Sequence, residues 1–276
     1  MGKTAKRIFW IATGTIAAWA VAIKPRTKGK PDMSVFSAYD YANGGLHDYC
    51  KNFPENSVDA FEAAYKHGYG VVMPVRITKD EIPVVFTDHE LWRMCNTDGN
   101  IEEMTLSELK ELKLLDTKHQ ILTLKEALDI IDGQVPVLIQ LKSYGGNYTM
   151  LSESAALVLD QYDGVYAVES LDYRCVRWFM RYRPAVIRGQ MLEKSVDFGD
   201  SIFSFLRQFA KNWLLTNYMC RPDFISTHIV DRRSISLRFC QMLYHVPVMH
   251  WTVCTMKEYE KSRIEDAIVV FEDIEP

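Results

Sequence analysis

Residues 70–77 (GVVMPVRI) and 136–142 (PVLIQLK) are near-continuous apolar runs of strand length. They lack the polar alternation of a half-solvated strand, as expected where both faces of a parallel sheet are covered. Outward from them lie further candidate strands at Val35–Tyr41, Pro83–Thr87, Gly164–Ser170, Ala185–Gln190, Asp223–Thr227, Val246–Val253 and Ala267–Phe271. The stretches between read as helices. Thr105-Leu-Ser-Glu108, Thr123-Leu-Lys-Glu126 and Thr255-Met-Lys-Glu258 have the T-x-x-E form of a capping box, which satisfies two orphan N–H groups of a first turn reciprocally. Ser57 and Asp172 are N-cap candidates for two more helices, and Gly68 and Gly133 stand where a helix would stop in a left-handed cap. Eight or nine strands alternating with helices, in a body of about 245 residues, predict a (β/α)8 barrel of the TIM type over an open doubly wound sheet. No G-x-G-x-x-G follows a strand, which also counts against a dinucleotide fold. Pro74 brings no N–H to the ladder, so a local irregularity is expected in its strand.

The chain has 276 residues, 48% of them hydrophobic and 25% charged, enough for one large barrel or two smaller domains. Its net charge of −4 hides an asymmetry. Seven of the 32 Lys/Arg lie in residues 1–30, which hold no acid; the other 25 face 36 acidic residues, a balance of −11. An acidic body with no basic stripe excludes nucleic acid as a partner. Ile8–Ile23 (IFWIATGTIAAWAVAI) is uncharged and flanked by basic residues. It falls short of the roughly 20 residues that cross a hydrocarbon core, although Arg7, Lys24, Trp10 and Trp19 extend its reach. Ala20-Val21-Ala22 has the form of a signal-peptide cleavage site, but four basic residues directly after it would hinder export. The reading is therefore a short N-terminal hydrophobic anchor and linker, residues 1–30, ahead of a barrel at 31–276. That makes the chain a single-pass membrane protein, and near-equal basic flanks leave its orientation open.

The six cysteines (50, 95, 175, 220, 240 and 254) form no C-x-x-C pair and no zinc spacing. They read as small buried hydrophobes, which leans toward a reducing, cytoplasmic setting. Residues 201–219 (SIFSFLRQFAKNWLLTNYM) place Ile202, Phe205, Leu206, Phe209 and Trp213 on one helical face. That face suits either a core-packing helix or a lid or membrane-surface helix beside the pocket.

Gly45-Leu46-His47-Asp48, Pro54-Glu55-Asn56-Ser57, Thr78-Lys79-Asp80, Pro83-Val84-Val85-Phe86 and Leu138-Ile139-Gln140-Leu141-Lys142 follow one another in an order that resembles the glycerophosphodiester phosphodiesterase family. Later segments, among them Ile187-Arg188-Gly189-Gln190, Arg221-Pro222-Asp223-Phe224 and Trp251-Thr252-Val253, extend the resemblance over nearly all of residues 35–276. The resemblance implies a metal-dependent hydrolase of deacylated phospholipid head groups. Two histidines would be its acid and base, carboxylates would hold calcium or magnesium, and an arginine and a lysine would bind phosphate.

Carried over position by position, those roles fall on residues unable to perform them. The first histidine and its arginine become Asn43 and Gly44. The E-x-D of the second strand becomes Val72 and Pro74, and the second histidine becomes Thr87, followed by a retained Asp88. The E-x-K of the fourth strand becomes Gln140 with Lys142 kept. Asn43 and Thr87 carry no proton near neutrality, so a factor of ~10²–10⁴ from acid–base catalysis is lost. Val72, Pro74 and Gln140 offer a hard cation no anionic oxygen, so no cofactor is expected and calcium or magnesium would bind weakly at best.

Substitutes for the lost groups are His89 with Asp88, and more remotely His47, His119, Asp48 and Glu55. Lys142 is the main candidate for binding phosphate, because an inward lysine needs an anion. Trp251 is a candidate wall for a glycerol or choline moiety. The expectation is a catalytically silent family barrel that binds a phosphorylated head group or a protein partner at the membrane. The alternative is a phosphodiester hydrolase with a site rebuilt on His89, Asp88 and Lys142.

Overall fold

The computed structural model describes residues 3–194 and 201–276, with the backbone alone described at 3–9, 11, 12 and 51. Ten strands are present among them: β1 Tyr41–Asn43, β2 Gly70–Ile77, β3 Pro83–Val85, β4 Leu122–Thr123, β5 Val137–Leu141, β6 Tyr166–Ser170, β7 Ile187–Leu192, β8 Phe224–His228, β9 Val248–Val253 and β10 Ile268–Phe271. Eight run parallel in the order β1-β10-β9-β8-β7-β6-β5-β2, and the β1–β2 pairing closes the ring. The chain is an eight-stranded parallel barrel of the TIM type. β3 and β4 lie outside the ring as antiparallel additions to the end of β2.

The longer helices are α1 Lys3–Ala22, α2 Val58–Lys66, α3 Leu124–Ile131, α4 Tyr148–Leu159, α5 Tyr173–Tyr182, α6 Ile202–Asn212, α7 Ile235–Tyr244 and α8 Met256–Ile264. All eight residues of β2 are buried, which its unbroken apolar sequence requires. Val72 joins Tyr41, Leu138, Ala167, Phe224, Met249 and Val270 inside the barrel. Val71, Met73 and Val75 pack with Phe61, Leu128, Leu151 and Phe179 in the layer between sheet and helices. Thr105–Glu108 and Thr123–Glu126 form full capping boxes. At the third, Thr255 accepts from the Glu258 N–H, but the Glu258 carboxylate takes the Cys254 N–H instead. Ser57 and Asp172 cap α2 and α5.

Three expectations are corrected. The first strand begins only at Tyr41, not at Val35: Asp32 accepts from the Ser34 N–H and opens a helical turn, Ser34–Ser37, which buries Phe36 with Tyr41. Pro83–Thr87 supplies a hairpin partner of β2 and no barrel strand. Pro74 causes no irregularity, and β2 keeps register with β5 from Val71 to Val75. The reason is directional. Lys142 N donates to Val75 O on the β5 side, whereas Val72 O and Pro74 O accept from Gly44 N and Phe86 N on the other. The missing N–H of Pro74 thus faces away from β5, beyond the end of β1.

The N-terminal apolar stretch falls mostly within α1. Among the described residues, no helix is long and apolar enough to cross a membrane. The apolar stretch is short, and Thr13, Gly14 and Thr15 dilute it. Its end is fastened to the barrel. Ile23 is fully buried, and its carbonyl accepts from Asn217 Nδ2 at 3.1 Å. Arg26 N donates to Pro222 O, and Lys30 Nζ donates to Tyr244 O.

Candidate functional site

The C-terminal ends of the parallel strands open on a cavity of about 510 Å³. Arg76 reaches it from β2, Gln140 and Lys142 from β5 and the residues after it, Asp172 and Arg174 from the β6–α5 turn, and Trp251 from β9. Arg207 and Lys211 come from α6, and Tyr144, Gly145 and Gly146 from the loop after β5. Five cations therefore face two carboxylates, Asp172 and Glu193.

Two of the five are already matched. Arg76 Nη1 donates to Glu102 Oε1 at 2.9 Å, and Arg174 Nη2 donates to Asp172 Oδ2 at 2.7 Å. No hydrogen bond or ion pair among the described residues engages the ammonium of Lys142 or Lys211, or the guanidinium of Arg207. Burial, then the nearby Arg76, pushes the Lys142 pKa below its ordinary value. Burial does the same to Lys211, opposed by the charge of Asp172 and aided by Arg207 and Arg174. A half-buried lysine with a cation beside it and no ion-pair partner among the described residues is suited to bind an anion.

Below the cavity floor, Gln140 Nε2 donates to Glu169 Oε1 at 3.1 Å. Glu169 is buried, and burial pushes its pKa up to about 7, against the pull of Gln140, Ser226 and Lys142. Neither Glu169 nor Arg76 stood out in the sequence. The signal for both was parity: Arg76 shares the inward face of Val72 and Pro74, and Glu169 that of Ala167.

The positions that would carry the proton chemistry are occupied by amide and hydroxyl bonds. Asn43 Nδ2 donates to Glu272 Oε2 at 2.7 Å. Thr87 Oγ1 accepts from Asn56 Nδ2 at 3.0 Å. Gly44 holds a left-handed φ of +65°, and its carbonyl accepts from Asn56 N. Val72 lies in the barrel core, and Pro74 stands beside Gln140 in the ladder.

Asp88 and His89 are adjacent in sequence but turn to different partners. Asp88 binds Arg93, which also forks onto Glu55 with contacts of 2.7 and 3.0 Å. His89 Nδ1 lies 2.7 Å from Glu102 Oε2, and its ring stacks on Tyr144 with centroids 3.6 Å apart. Tyr144 lines the cavity; His89 does not. His119 is buried against Asp59. His47 and Asp48 line a separate hollow of about 490 Å³ beside Glu272 and Asp273. Trp251 packs edge-on against His228.

The divalent cation implied by the resemblance does not fit this donor set. Val72, Pro74 and Gln140 present no carboxylate, and Glu55 is committed to Arg93. Among the described residues, no group of three or more His, Cys, Asp or Glu is placed to hold a metal ion.

Residues 49–174 match the glycerophosphoryl diester phosphodiesterase family. A glycerophosphodiester phosphodiesterase of Caldanaerobacter subterraneus is 31% identical over 121 residues, 41% of this chain and 50% of that protein. An uncharacterized Mycoplasma genitalium protein is 34% identical over 113 residues, 38% of this chain and 48% of its own. The chain thus spans about half the length of the curated relatives it matches. Among solved structures, an Oleispira antarctica phosphodiesterase in complex with the product sn-glycerol-3-phosphate superposes with a TM-score of 0.69 at 20% identity, covering 84% of this chain and 92% of that one. The glycerophosphodiester phosphodiesterase of Thermotoga maritima gives 0.60 at 23% identity, covering 84% and 94%. The family is supported by the matched segment, and the solved structures establish the fold of the barrel as a whole.

Proposed function

We propose that the whole barrel is a glycerophosphodiester phosphodiesterase-family protein that binds a phosphorylated head group without hydrolysing it. The observation that carries this reading is the half-buried Lys142 ammonium, without a partner among the described residues, in a cavity shared with Arg76, Arg207 and Lys211. A phosphate monoester or diester would satisfy these donors with charge-assisted hydrogen bonds, and Trp251 and Tyr144 offer apolar walls to its alcohol part. Silence is supported by Asn43 and Thr87, whose side chains carry no titratable proton and are bound to Glu272 and Asn56. The reading requires no metal.

The test is thermal unfolding with sn-glycerol 3-phosphate, glycerophosphocholine or inorganic phosphate, each with EDTA. The melting temperature should rise with phosphomonoester or diester, and Lys142→Ala should abolish the rise. No shift with any of them defeats the reading.

One observation favours the hydrolase alternative. The His89 imidazole is oriented by Glu102, as a general base needs, and stacks on a cavity-lining ring. Release of glycerol 3-phosphate that disappears in His89→Ala would establish that alternative; silence in both proteins would remove it.

A further inference from the structure

Helix α6 is amphipathic with the wrong side out for a protein in water. Its one buried residue is the polar Asn212. Ile202, Phe203 and Leu206 are 65%, 80% and 53% exposed, and Phe205, Phe209 and Trp213 are exposed with them. Its polar residues lie toward the protein: Asn212 is buried, and Arg207 and Lys211 line the mouth cavity. An apolar face of this size normally turns to the core. Turned outward, it marks a surface that something apolar covers.

Two features identify the cover. The apolar surface does not stop at α6: Trp213 meets Trp19 of α1 with ring centroids 5.9 Å apart, and residues 13–18 of α1 are exposed all round. The segment that continues it is also the basic part of the chain, since residues 1–30 hold seven Lys/Arg and no acid. An exposed apolar face joined to a chain segment with seven cations and no acid matches the boundary between acyl chains and anionic head groups.

We propose that α6 and the adjoining surface of α1 lie in the interface of an anionic lipid bilayer. The helix rests on the membrane without spanning it, and its basic side lines the barrel mouth. Docked in this way, the cavity opens at head-group level. The proposal stands apart from the head-group reading, because it concerns the outer face of α6 and not the residues in the cavity.

The experiment is sedimentation of the full chain with vesicles of phosphatidylglycerol and phosphatidylcholine, and of phosphatidylcholine alone. Partition onto the anionic vesicles is expected, with a loss of at least about tenfold for Phe203→Glu/Leu206→Glu. Ile264→Glu, which alters an exposed isoleucine on α8, should bind like the unaltered chain. The double variant should keep its melting temperature and any response to glycerol 3-phosphate, so failure here and failure of the head-group reading are distinguishable. The proposal is overturned if the chain ignores both vesicle types, or if the double variant binds undiminished. Light scattering that shows a dimer dissolved by the double variant, with no vesicle binding, overturns it as well. Equal partition onto both vesicle types overturns the choice of anionic lipid.

Discussion

Gln140 and Glu169 stand opposite each other on neighbouring strands of the barrel, with the amide of one donating to the carboxylate of the other at 3.1 Å. Gln140 occupies a position where the resemblance places a metal-binding glutamate. With a neutral amide there, Glu169 meets burial with no compensating cation in contact, and its pKa rises from 4.5 to about 7. Such an acid stays protonated in the folded state after it has ionised in the unfolded one. Its contribution is intact below about pH 4.5 and is lost as pH rises through about 7. The difference corresponds to roughly 3 kcal/mol. Glu169→Gln should remove this decline, measured as urea unfolding free energies across that range. A variant with the same slope as the parent would contradict the assignment.

His250 pulls the other way. It is buried, its Nδ1 lies 2.9 Å from Ser262 Oγ, and burial lowers its pKa from 6.5 to about 4. The unfolded chain takes up a proton that the folded one refuses, so stability falls as pH drops from about 6.5 toward 4. Between pH 4.5 and 6.5 these two slopes oppose each other. Glu169→Gln alone should therefore expose stability that rises with pH, and His250→Gln alone stability that falls. Parallel urea titrations of the two variants check the pair.

The fold was legible where packing leaves a periodic trace. The apolar runs at 70–77 and 136–142 read directly as strands buried on both faces, and Thr105, Thr123, Ser57 and Asp172 cap the helices they announce. Val35–Tyr41 misled because Val35, Phe36 and Tyr41 suit a strand, while the turn is set by one Asp32–Ser34 bond. Arg76 and Glu169 were hidden inside apolar strands, and only their place on the inward face distinguishes them. For α6 the pattern gave the two faces but not which of them meets the barrel, since tertiary contacts decide that. Asp88 and His89 looked like a pair, yet successive loop side chains diverge, and each found a different partner.

Lys142 separates binding from stability. Its ammonium is desolvated with no ion pair among the described residues, so it costs folding free energy in the absence of an anion. Lys142→Met keeps the aliphatic length and removes the charge. The variant should be more stable than the parent in buffer free of phosphate, by about 1 kcal/mol, and should not respond to added phosphate. A merely structural lysine would give the opposite sign, with destabilisation on substitution.

Gly45 is required by its surroundings. It has a φ of +86°, and a Cβ there would stand 2.7 Å from the Ala60 carbonyl carbon, on a backbone that cannot swing aside. Gly45→Ala should cost at least about 2 kcal/mol, combining left-handed strain with the clash. Gly145 also has a positive φ, but nothing lies within 4 Å of its Cβ position. Gly145→Ala should therefore cost only about 1 kcal/mol. Thermal melts of the two variants separate steric contact from backbone strain.

Arg93 ties the 47–56 loop to the segment after β3, through a fork onto Glu55 and a bond to Asp88. The Glu55 side chain is nearly buried, whereas that of Arg93 is half exposed. Burial raises the Glu55 pKa, but bonds from Arg93 and its charge outweigh burial and hold it below the usual value. A depressed carboxylate contributes stability above its unfolded pKa and loses it as pH falls through the folded one. In Arg93→Ala the burial penalty would remain, opposed by bonds from Thr87 and from Tyr49, the latter at 3.1 Å. The loss should be about 2 kcal/mol near pH 7, below the figure for a fully buried pair because solvent screens the guanidinium. It should shrink toward pH 4, where the carboxyl protonates in the variant and needs no cation. Arg93→Lys, which keeps the charge without the fork, should recover part of the neutral-pH stability and none of the bidentate geometry. A gap between parent and Arg93→Ala that stays constant with pH would place the role of Arg93 in packing rather than in charge.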